Sequence, residues 1–277
     1  MSAVTLPDGE QVPALGMGSW RMGEDPALRR EEIATVRLGI ELGMSLIDTA
    51  EMYGDGLTER FLGEALAGLR DRVFLVSKVY PHHGSRKGVI QACEQSLRRL
   101  GTDRLDLYLL HWRGRVPLAE TVEGFEALRA AAKIRHWGVS NFDTGDMAEL
   151  FQLPDGRRCA ANQVLYNLSR RGPEFDLLPW MDTRGVPLMA YSPIEQGQIA
   201  DGGAVAGIAS QHRMTRWQVA LAWVLHRPGT LVIPKTSRTD HLRENHAAQA
   251  LRLSEAELAR LDVQFAPPRR SRPLEML

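Results

Sequence analysis

Apolar residues in this chain fall in short runs that alternate with longer segments in which apolar residues recur every three or four positions. Short runs predict buried strands, and the three- and four-residue spacing predicts amphipathic helices. The predicted strands are Ala14 to Gly18, Ser45 to Asp48, Val73 to Lys78, Leu105 to His111, Ile134 to Ser140, Ala161 to Leu165, Pro187 to Tyr191 and Leu231 to Pro234. Predicted helices between them include Arg30 to Leu42, Gly88 to Leu100, Leu118 to Ala132 and Arg216 to Leu225.

Strict alternation of strand and helix predicts parallel strands joined by right-handed crossovers, and eight repeats predict an α/β fold of the (β/α)8 TIM-barrel type. The preceding segment, VTLPDGEQVP, has Asp8-Gly9 at its centre. It predicts a β-hairpin that closes the N-terminal end, the bottom, of the barrel. Because barrels of this size commonly form one domain, we expect residues 1–277 to be a single domain.

Composition and charge exclude several classes of function. Lysine plus arginine and aspartate plus glutamate are both 34, which gives no electrostatic case for binding nucleic acid or an anionic membrane. No apolar run reaches transmembrane length and no signal-peptide pattern is seen, so the simplest expectation is a cytoplasmic protein. We also expect a monomer. Cys93 and Cys159 lack metal-site spacing; we expect both to be buried, with neither a disulfide nor a metal site.

Candidate chemistry lies where the predicted strands end. Asp48 and Tyr53 follow one strand, and Lys78 and His111 close two others. Barrel enzymes place their catalytic groups at the carboxyl ends of the strands. We therefore expect these four side chains to meet in one site.

The four residue types suit the reduction of a carbonyl, where an alkoxide must be protonated as it forms. A tyrosine is a weak acid at neutral pH, and we expect the ammonium of Lys78 to lower the pKa of Tyr53. A buried ammonium needs a counter-charge, for which Asp48 is the nearest candidate. His111 is expected to orient the substrate oxygen.

With these residues the chain resembles the aldo-keto reductase superfamily along nearly its whole length. The strings that carry the resemblance are LGMGSW from Leu15, DTAEMYG from Asp48, VSKV from Val76, LDLYLLHW from Leu105, WGVSNF from Trp137, NQVLYN from Asn162, AYSPI from Ala190 and VIPKTS from Val232. The resemblance implies that Asp48, Tyr53, Lys78 and His111 are the catalytic tetrad, with Tyr53 as the general acid.

A dinucleotide cofactor would have to bind without a Rossmann fingerprint, since Gly16-Met17-Gly18 is only a partial match. Basic residues from Lys235 to Arg238 precede a predicted helix, whose N-terminus favours phosphate. The residues alone leave an ordinary capped helix as an equal alternative. The resemblance implies a site for the adenosine 2′-phosphate, and hence NADPH, with Lys235, Thr236 and His241 near the phosphate and Glu244 and Asn245 near the adenine. Ser237 and Arg238 are expected cofactor contacts in the same segment.

One position departs from the family pattern, because many members carry arginine where this chain has His241. A neutral histidine offers less charge and fewer donors than a guanidinium. We expect Arg238 to compensate.

The resemblance also assigns the rest of the cofactor site. Ser140, Asn141 and Gln163 match positions that bind the nicotinamide carboxamide, and Tyr191 matches the aromatic residue that stacks on the ring. The remaining expected cofactor contacts are Ser19, Trp20, Asp48, Ser192, Ile194 and Gln196. The substrate pocket is expected to be lined by Trp20, Met52, Tyr80, His111, Trp112 and Arg113.

The expected function is therefore NADPH-dependent reduction of aldehydes and reactive ketones. The strings NQVLYNLSRRGPEFDLLPW and PLEML are similar to bacterial members that include methylglyoxal reductases, so small 2-oxoaldehydes such as methylglyoxal are the expected substrates. Two alternatives stay open. One is a nicotinamide-cofactor-binding regulatory subunit, and the other is a Schiff-base aldolase using Lys78.

Overall fold

Eight short parallel strands form one sheet, in which each strand pairs with its neighbour in sequence. The structure, a computed structural model, describes residues 2–277. An antiparallel pair, β1 (Ala3–Thr5) and β2 (Gln11–Pro13), precedes the sheet. The sheet strands are β3 (Met17–Gly18), β4 (Leu46–Asp48), β5 (Phe74–Val79), β6 (Leu105–Leu110), β7 (Ile134–Ser140), β8 (Asn162–Leu165), β9 (Leu188–Tyr191) and β10 (Thr230–Val232).

Helices connect the strands and surround the sheet. They are α1 (Arg29–Glu41), α2 (Leu57–Ala65), α3 (Arg86–Leu100), α4 (Leu118–Ala130), α5 (Thr144–Leu150), α6 (Leu177–Asp182), α7 (Gly203–His212), α8 (Arg216–His226), α9 (Thr239–Ala247) and α10 (Glu255–Gln264). Between residues 2 and 277, no helix is long and apolar enough to cross a membrane.

The two edges of the sheet meet and close it into a barrel. Leu15 and Gly18 form parallel bridges with Val232 and Lys235, and the Val232 N–H donates to the Ala14 carbonyl at 2.7 Å. The chain is crowded here, because a Cβ on Gly16 would lie 2.3 Å from Leu46 Cδ2. These contacts confirm the predicted barrel, although the first strand is shorter than the predicted Ala14 to Gly18.

The hairpin closes the bottom of the barrel, as predicted. Gly9 has a φ of +96° at its turn, a conformation that favours glycine. Val4 and Val12 are buried in one cluster with Leu46 and Phe74, the first residues of β4 and β5. The amino ends of the strands are therefore covered by apolar side chains, which leaves the carboxyl ends as the accessible face.

A second apolar layer lies between the barrel and its helices. Phe61 and Phe125, from α2 and α4, are fully buried there, and Trp137 of β7 stacks on Phe125. Cys93 and Cys159 are buried thiols, as expected, and burial raises the pKa of each to about 12. This layer fixes the strands whose carboxyl ends carry the polar groups described next.

Candidate active site

The structure brings Asp48, Tyr53, Lys78 and His111 together at the carboxyl ends of β4, β5 and β6. Lys78 is fully buried, and its Nζ donates to Asp48 Oδ2 at 2.8 Å and to Tyr53 Oη at 3.1 Å. A third bond, at 2.8 Å, goes to the Thr49 carbonyl. All three ammonium protons therefore have acceptors, which is what a buried ammonium requires.

The expected depression of the Tyr53 pKa was wrong. Burial raises the pKa of Tyr53 above its ordinary value, the cation of Lys78 opposes this, and Asp48 adds to the rise. Burial of the phenolate raises the pKa of Tyr53 by more than the adjacent ammonium lowers it, because that ammonium is also bound to Asp48. Burial acts to lower the pKa of Lys78, but Asp48 and Tyr53 raise it above its usual value. At neutral pH the pair is a neutral phenol beside an ammonium.

His111 lies next to the phenol as a neutral imidazole. Its ring centroid is 6.0 Å from that of Tyr53, in an edge-on arrangement. Burial, with a contribution from the Lys78 cation, lowers its pKa well below the usual value. In residues 2–277, His111 Nδ1 is buried without a hydrogen-bond partner. Nε2 is therefore the ring nitrogen available to a ligand.

Two of the predicted cofactor residues hold Asp48 in place. Gln163 Nε2 donates to Asp48 Oδ1 at 2.7 Å, and Ser19 Oγ donates to the Asp48 carbonyl at 2.8 Å. The carboxylate thus has one oxygen on Gln163 and the other on Lys78. This arrangement fixes the direction of the ammonium that faces Tyr53.

Amide and hydroxyl groups gather beside the tetrad at the ends of β7, β8 and β9. Asn141 Nδ2 donates to the His111 carbonyl at 3.1 Å, and Tyr191 Oη donates to Asn141 Oδ1 at 3.1 Å. Ser140 Oγ donates to the Gln163 carbonyl at 2.9 Å. An aromatic face next to several amide groups fits a nicotinamide ring and its carboxamide.

The loop after β9 is backbone held in an uncommon conformation. Ser192, Glu195 and Gln196 have φ values of 47°, 48° and 52°, which cost energy for residues other than glycine. Asn167 Nδ2 donates to the Ser192 carbonyl at 2.9 Å and to Glu195 Oε2 at 2.7 Å. The predicted contacts Ser192, Ile194 and Gln196 lie in this fixed loop, beside the end of the strand that carries Tyr191.

A region with several cationic side chains, separate from the tetrad, precedes α9. Lys235 Nζ donates to Ser237 Oγ at 2.8 Å, and Ser237 Oγ donates to Glu32 Oε1 at 2.8 Å. Burial lowers the pKa of Lys235, Glu32 opposes this, and the nearby cation of Arg21 adds to the lowering. Lys235 and Arg21 are therefore cations close enough to repel each other, and an anion bound near them would relieve that repulsion.

Arg238, expected to compensate for His241, is paired in this structure. Its Nε and Nη2 contact the two oxygens of Asp240 at 3.0 Å and 2.5 Å, and Asp240 Oδ1 also accepts from the His241 amide. The bond from Arg238 lowers the pKa of Asp240. Thr236 Oγ1 accepts from the Arg238 amide at 3.1 Å. A phosphate would have to compete with Asp240 for this guanidinium.

The last two predicted adenine contacts lie one turn further along α9. Asn245 is buried, and Glu244 is half-buried, with its carbonyl accepting from Gln218 Nε2 at 3.0 Å. They follow His241, which is exposed, on the same helix.

The predicted substrate pocket is aromatic near His111. The rings of Trp112 and His111 are 5.0 Å apart, and those of Trp112 and Tyr80 are 5.9 Å apart. Trp20 is 43% exposed and Met52 is half-buried. The rings of Tyr80 and Trp112 thus form an aromatic wall beside His111.

Arg113, predicted in the same pocket, is engaged elsewhere. It donates to the carbonyls of Gly114 and Val116 at 2.8 and 3.1 Å and pairs with Glu149 at 2.9 Å. A substrate would have to displace Glu149 to use this guanidinium.

Two residues beside Lys235 and Ser237, Arg21 and Glu32, were not predicted from the sequence. Glu32 is buried in α1 in line with Val36 and Ile40, at four-residue intervals. An acidic residue on the apolar face of a predicted helix indicates a buried carboxylate, which needs polar or cationic partners nearby. This pattern could have identified Glu32 from the sequence. Arg21 directly follows Trp20 and carried no comparable signal.

Comparison with known proteins agrees with this geometry. Residues 14–264 match the aldo/keto reductase family. The chain is 52% identical to the methylglyoxal reductase YeaE of Escherichia coli over 271 residues, which cover 96% of this chain and 95% of the relative. It is 32% identical to the glyoxal reductase of Bacillus subtilis over 265 residues, 94% of this chain and 91% of the relative.

Solved structures show the same likeness. An aldo/keto reductase from Klebsiella pneumoniae, crystallised in complex with NADP and acetate, superposes with a TM-score of 0.96 at 50% identity and covers 99% of both chains. A structure of an aldo-keto reductase from the same organism, in complex with NADPH, gives a TM-score of 0.97 over 100% of this chain and 99% of the other.

Proposed function

The chain belongs to the aldo/keto reductase family, and on that premise we propose that it reduces small aldehydes and 2-oxoaldehydes to alcohols with NADPH. The observation that carries the proposal is the contact of 3.1 Å between Lys78 Nζ and Tyr53 Oη, with a neutral His111 beside it. A protonated phenol in contact with an ammonium is a proton donor whose product, the phenolate, is stabilised where it forms.

The side chains of the tetrad have different roles in protonating the carbonyl oxygen. His111 donates from Nε2 to the carbonyl oxygen and orients it toward Tyr53. NADPH, when bound, supplies the hydride. Tyr53 gives its hydroxyl proton to the same oxygen, and Lys78, anchored by Asp48, stabilises the phenolate that is left. General acid catalysis of this kind contributes roughly 10²- to 10⁴-fold in rate.

The polar groups of the site fit NADPH at both ends. Asn141 and Ser140, beside the ring of Tyr191, would hold the carboxamide, and Lys235 with Arg21 would offer positive charge to the 2′-phosphate. The complexes of the Klebsiella pneumoniae relatives with NADP and NADPH support this assignment.

The proposal of a small 2-oxoaldehyde substrate rests on the relatives and on the pocket. Both curated relatives act, by name, on methylglyoxal or glyoxal. The rings of Trp112 and Tyr80 offer aromatic surface next to His111. The expectation of a cytoplasmic monomer stays a prediction.

The Schiff-base alternative is opposed by the state of Lys78. A nucleophilic lysine must be a free amine, whereas Asp48 and Tyr53 raise the pKa of Lys78 and occupy its protons. A regulatory subunit would bind NADPH without turnover.

The test is loss of NADPH absorbance with methylglyoxal, glyoxal, simple aldehydes and a ketosteroid. We expect turnover with the 2-oxoaldehydes and little with the ketosteroid. NADPH binding without turnover of any carbonyl would favour the regulatory subunit. Borohydride trapping of a carbonyl compound on Lys78 would favour the aldolase.

A further inference from the structure

The turn that carries Tyr53 has three consecutive residues in the left-handed conformation. Gly54, Asp55 and Gly56 have φ values of 55°, 51° and 86°. Asp55 is not a glycine, and the left-handed conformation is unfavourable for a residue with a side chain. Such a turn persists when surrounding groups hold it. The position of the phenol therefore depends on what packs against Gly56 and its neighbours.

Arg99 of α3, on the outer side of the barrel wall, packs against this turn. A Cβ added to Gly56 would lie 2.6 Å from Arg99 Cδ and 2.8 Å from its Nε, so the side chain lies directly on the glycine backbone. Arg99 Nε donates to Glu59 Oε2 at 2.6 Å, and its Nη2 lies 4.0 Å from Glu51 Oε2. One guanidinium thus contacts residues on both sides of Tyr53.

The same cluster reaches the strand that carries Lys78. Glu59 is fully buried, and its Oε1 accepts from Ser77 Oγ at 2.6 Å. Adjacent residues of a strand point to opposite faces, so Ser77 faces Glu59 outside the barrel while Lys78 faces the site inside. Glu51 Oε1 also accepts from the Tyr80 amide, directly after β5, at 2.7 Å.

We propose that Arg99 is a positioning residue for Tyr53, provided that the chain is the carbonyl reductase described above. Through Gly56 and Glu59 it fixes the turn of Tyr53 relative to the strand of Lys78, and so sets the separation of 3.1 Å between their polar atoms. The general acid and the cation that stabilises its conjugate base are held in register from outside the barrel.

The expected effect is on the chemical step. A displacement of about 1 Å at a reacting group can lower the rate by about 10²-fold. A loosened turn should move Tyr53 by less than this on average, so we expect the rate of the chemical step to fall about tenfold. The affinity for NADPH and the KM of the carbonyl should stay within about twofold, because Arg99 contacts neither predicted site. If Tyr53 moves away from Lys78, its pKa loses a lowering contribution and rises further.

The experiment compares Arg99→Lys and Arg99→Met with Arg98→Met, a change at the exposed neighbouring position on α3. Arg99→Lys keeps a cation beside Glu59 but cannot bridge to Glu51, so it tests geometry without leaving a buried carboxylate unpaired. Single-turnover oxidation of NADPH by methylglyoxal is measured across pH. We expect both Arg99 variants to be about tenfold slower, with the alkaline fall in rate moved to higher pH, and Arg98→Met to match the wild type.

The outcomes separate the two proposals. A wild-type protein without NADPH-dependent turnover contradicts the proposed function itself. If the wild type is active and Arg99→Lys has the same rate and pH profile, the proposed role of Arg99 is overturned. A change confined to a higher KM for the carbonyl also overturns it. If Arg99→Met does not fold, Arg99→Lys decides, because a purely structural role predicts full activity once the charge is restored.

Discussion

Removing the buried ammonium of Lys78 should cost both stability and activity, and the two losses can be separated. Lys78 is fully buried, and its three hydrogen bonds go to Asp48, Thr49 and Tyr53. Breaking one partner from a buried ion pair costs about 3–5 kcal/mol. Asp48 keeps its bond to Gln163, so we expect about 3 kcal/mol for Lys78→Met.

The double variant Asp48→Asn/Lys78→Met gives the decisive comparison. It removes both charges, so we expect it to regain most of the lost stability while remaining inactive. Urea unfolding measures the stability of the wild type, both single variants and the double variant, and NADPH oxidation measures activity. Equal stability of wild type and Lys78→Met, or no gain in the double variant, would refute the argument that the pair is coupled.

Three further predictions concern the cofactor and pH. Lys235→Ala should weaken the binding of NADPH by about one to two decades and leave the binding of NADH nearly unchanged. Arg243→Ala, on the exposed face of α9, is the control. Asp240→Asn should tighten the binding of NADPH about threefold, because it releases Arg238 from its exposed ion pair. Quenching of tryptophan fluorescence measures the dissociation constants of both variants, and equal changes for NADPH and NADH would contradict these two predictions. Because Tyr53 donates only while protonated and burial raises its pKa, the rate of carbonyl reduction should be flat across neutral pH and fall only above the range in which an ordinary tyrosine titrates. A fall that begins near pH 7 in the chemical step would contradict this.

The sequence predicted the barrel because its strands are apolar runs that the fold buries on both sides. Ile134 to Ser140 is a strand with the predicted bounds, and Asp8-Gly9 turns the predicted hairpin. Most other strand ends differ from the prediction by one residue, and the largest differences, at β3 and β10, lie where the barrel closes. Residues 14–16 join β10 by single bridges and long-range hydrogen bonds that no local pattern encodes.

The site was predictable in its residues but not in its charges. Lys78 and His111 were placed by the strand ends that they close. The balance between burial and charge at Tyr53 depends on how deeply the turn is packed, which the spacing of residues does not show. The pairing of Arg238 with Asp240 and the contact of Arg99 with Gly56 likewise depend on side-chain directions in the folded chain.

Single-turnover oxidation of bound NADPH by methylglyoxal in Tyr53→Phe tests the central claim most directly. The variant loses only the hydroxyl that contacts Lys78, so it should fold and bind NADPH as the wild type does. We predict that the rate falls by roughly 10²- to 10⁴-fold, the contribution of a general acid. A folded Tyr53→Phe protein that oxidises NADPH at nearly the wild-type rate would contradict the account.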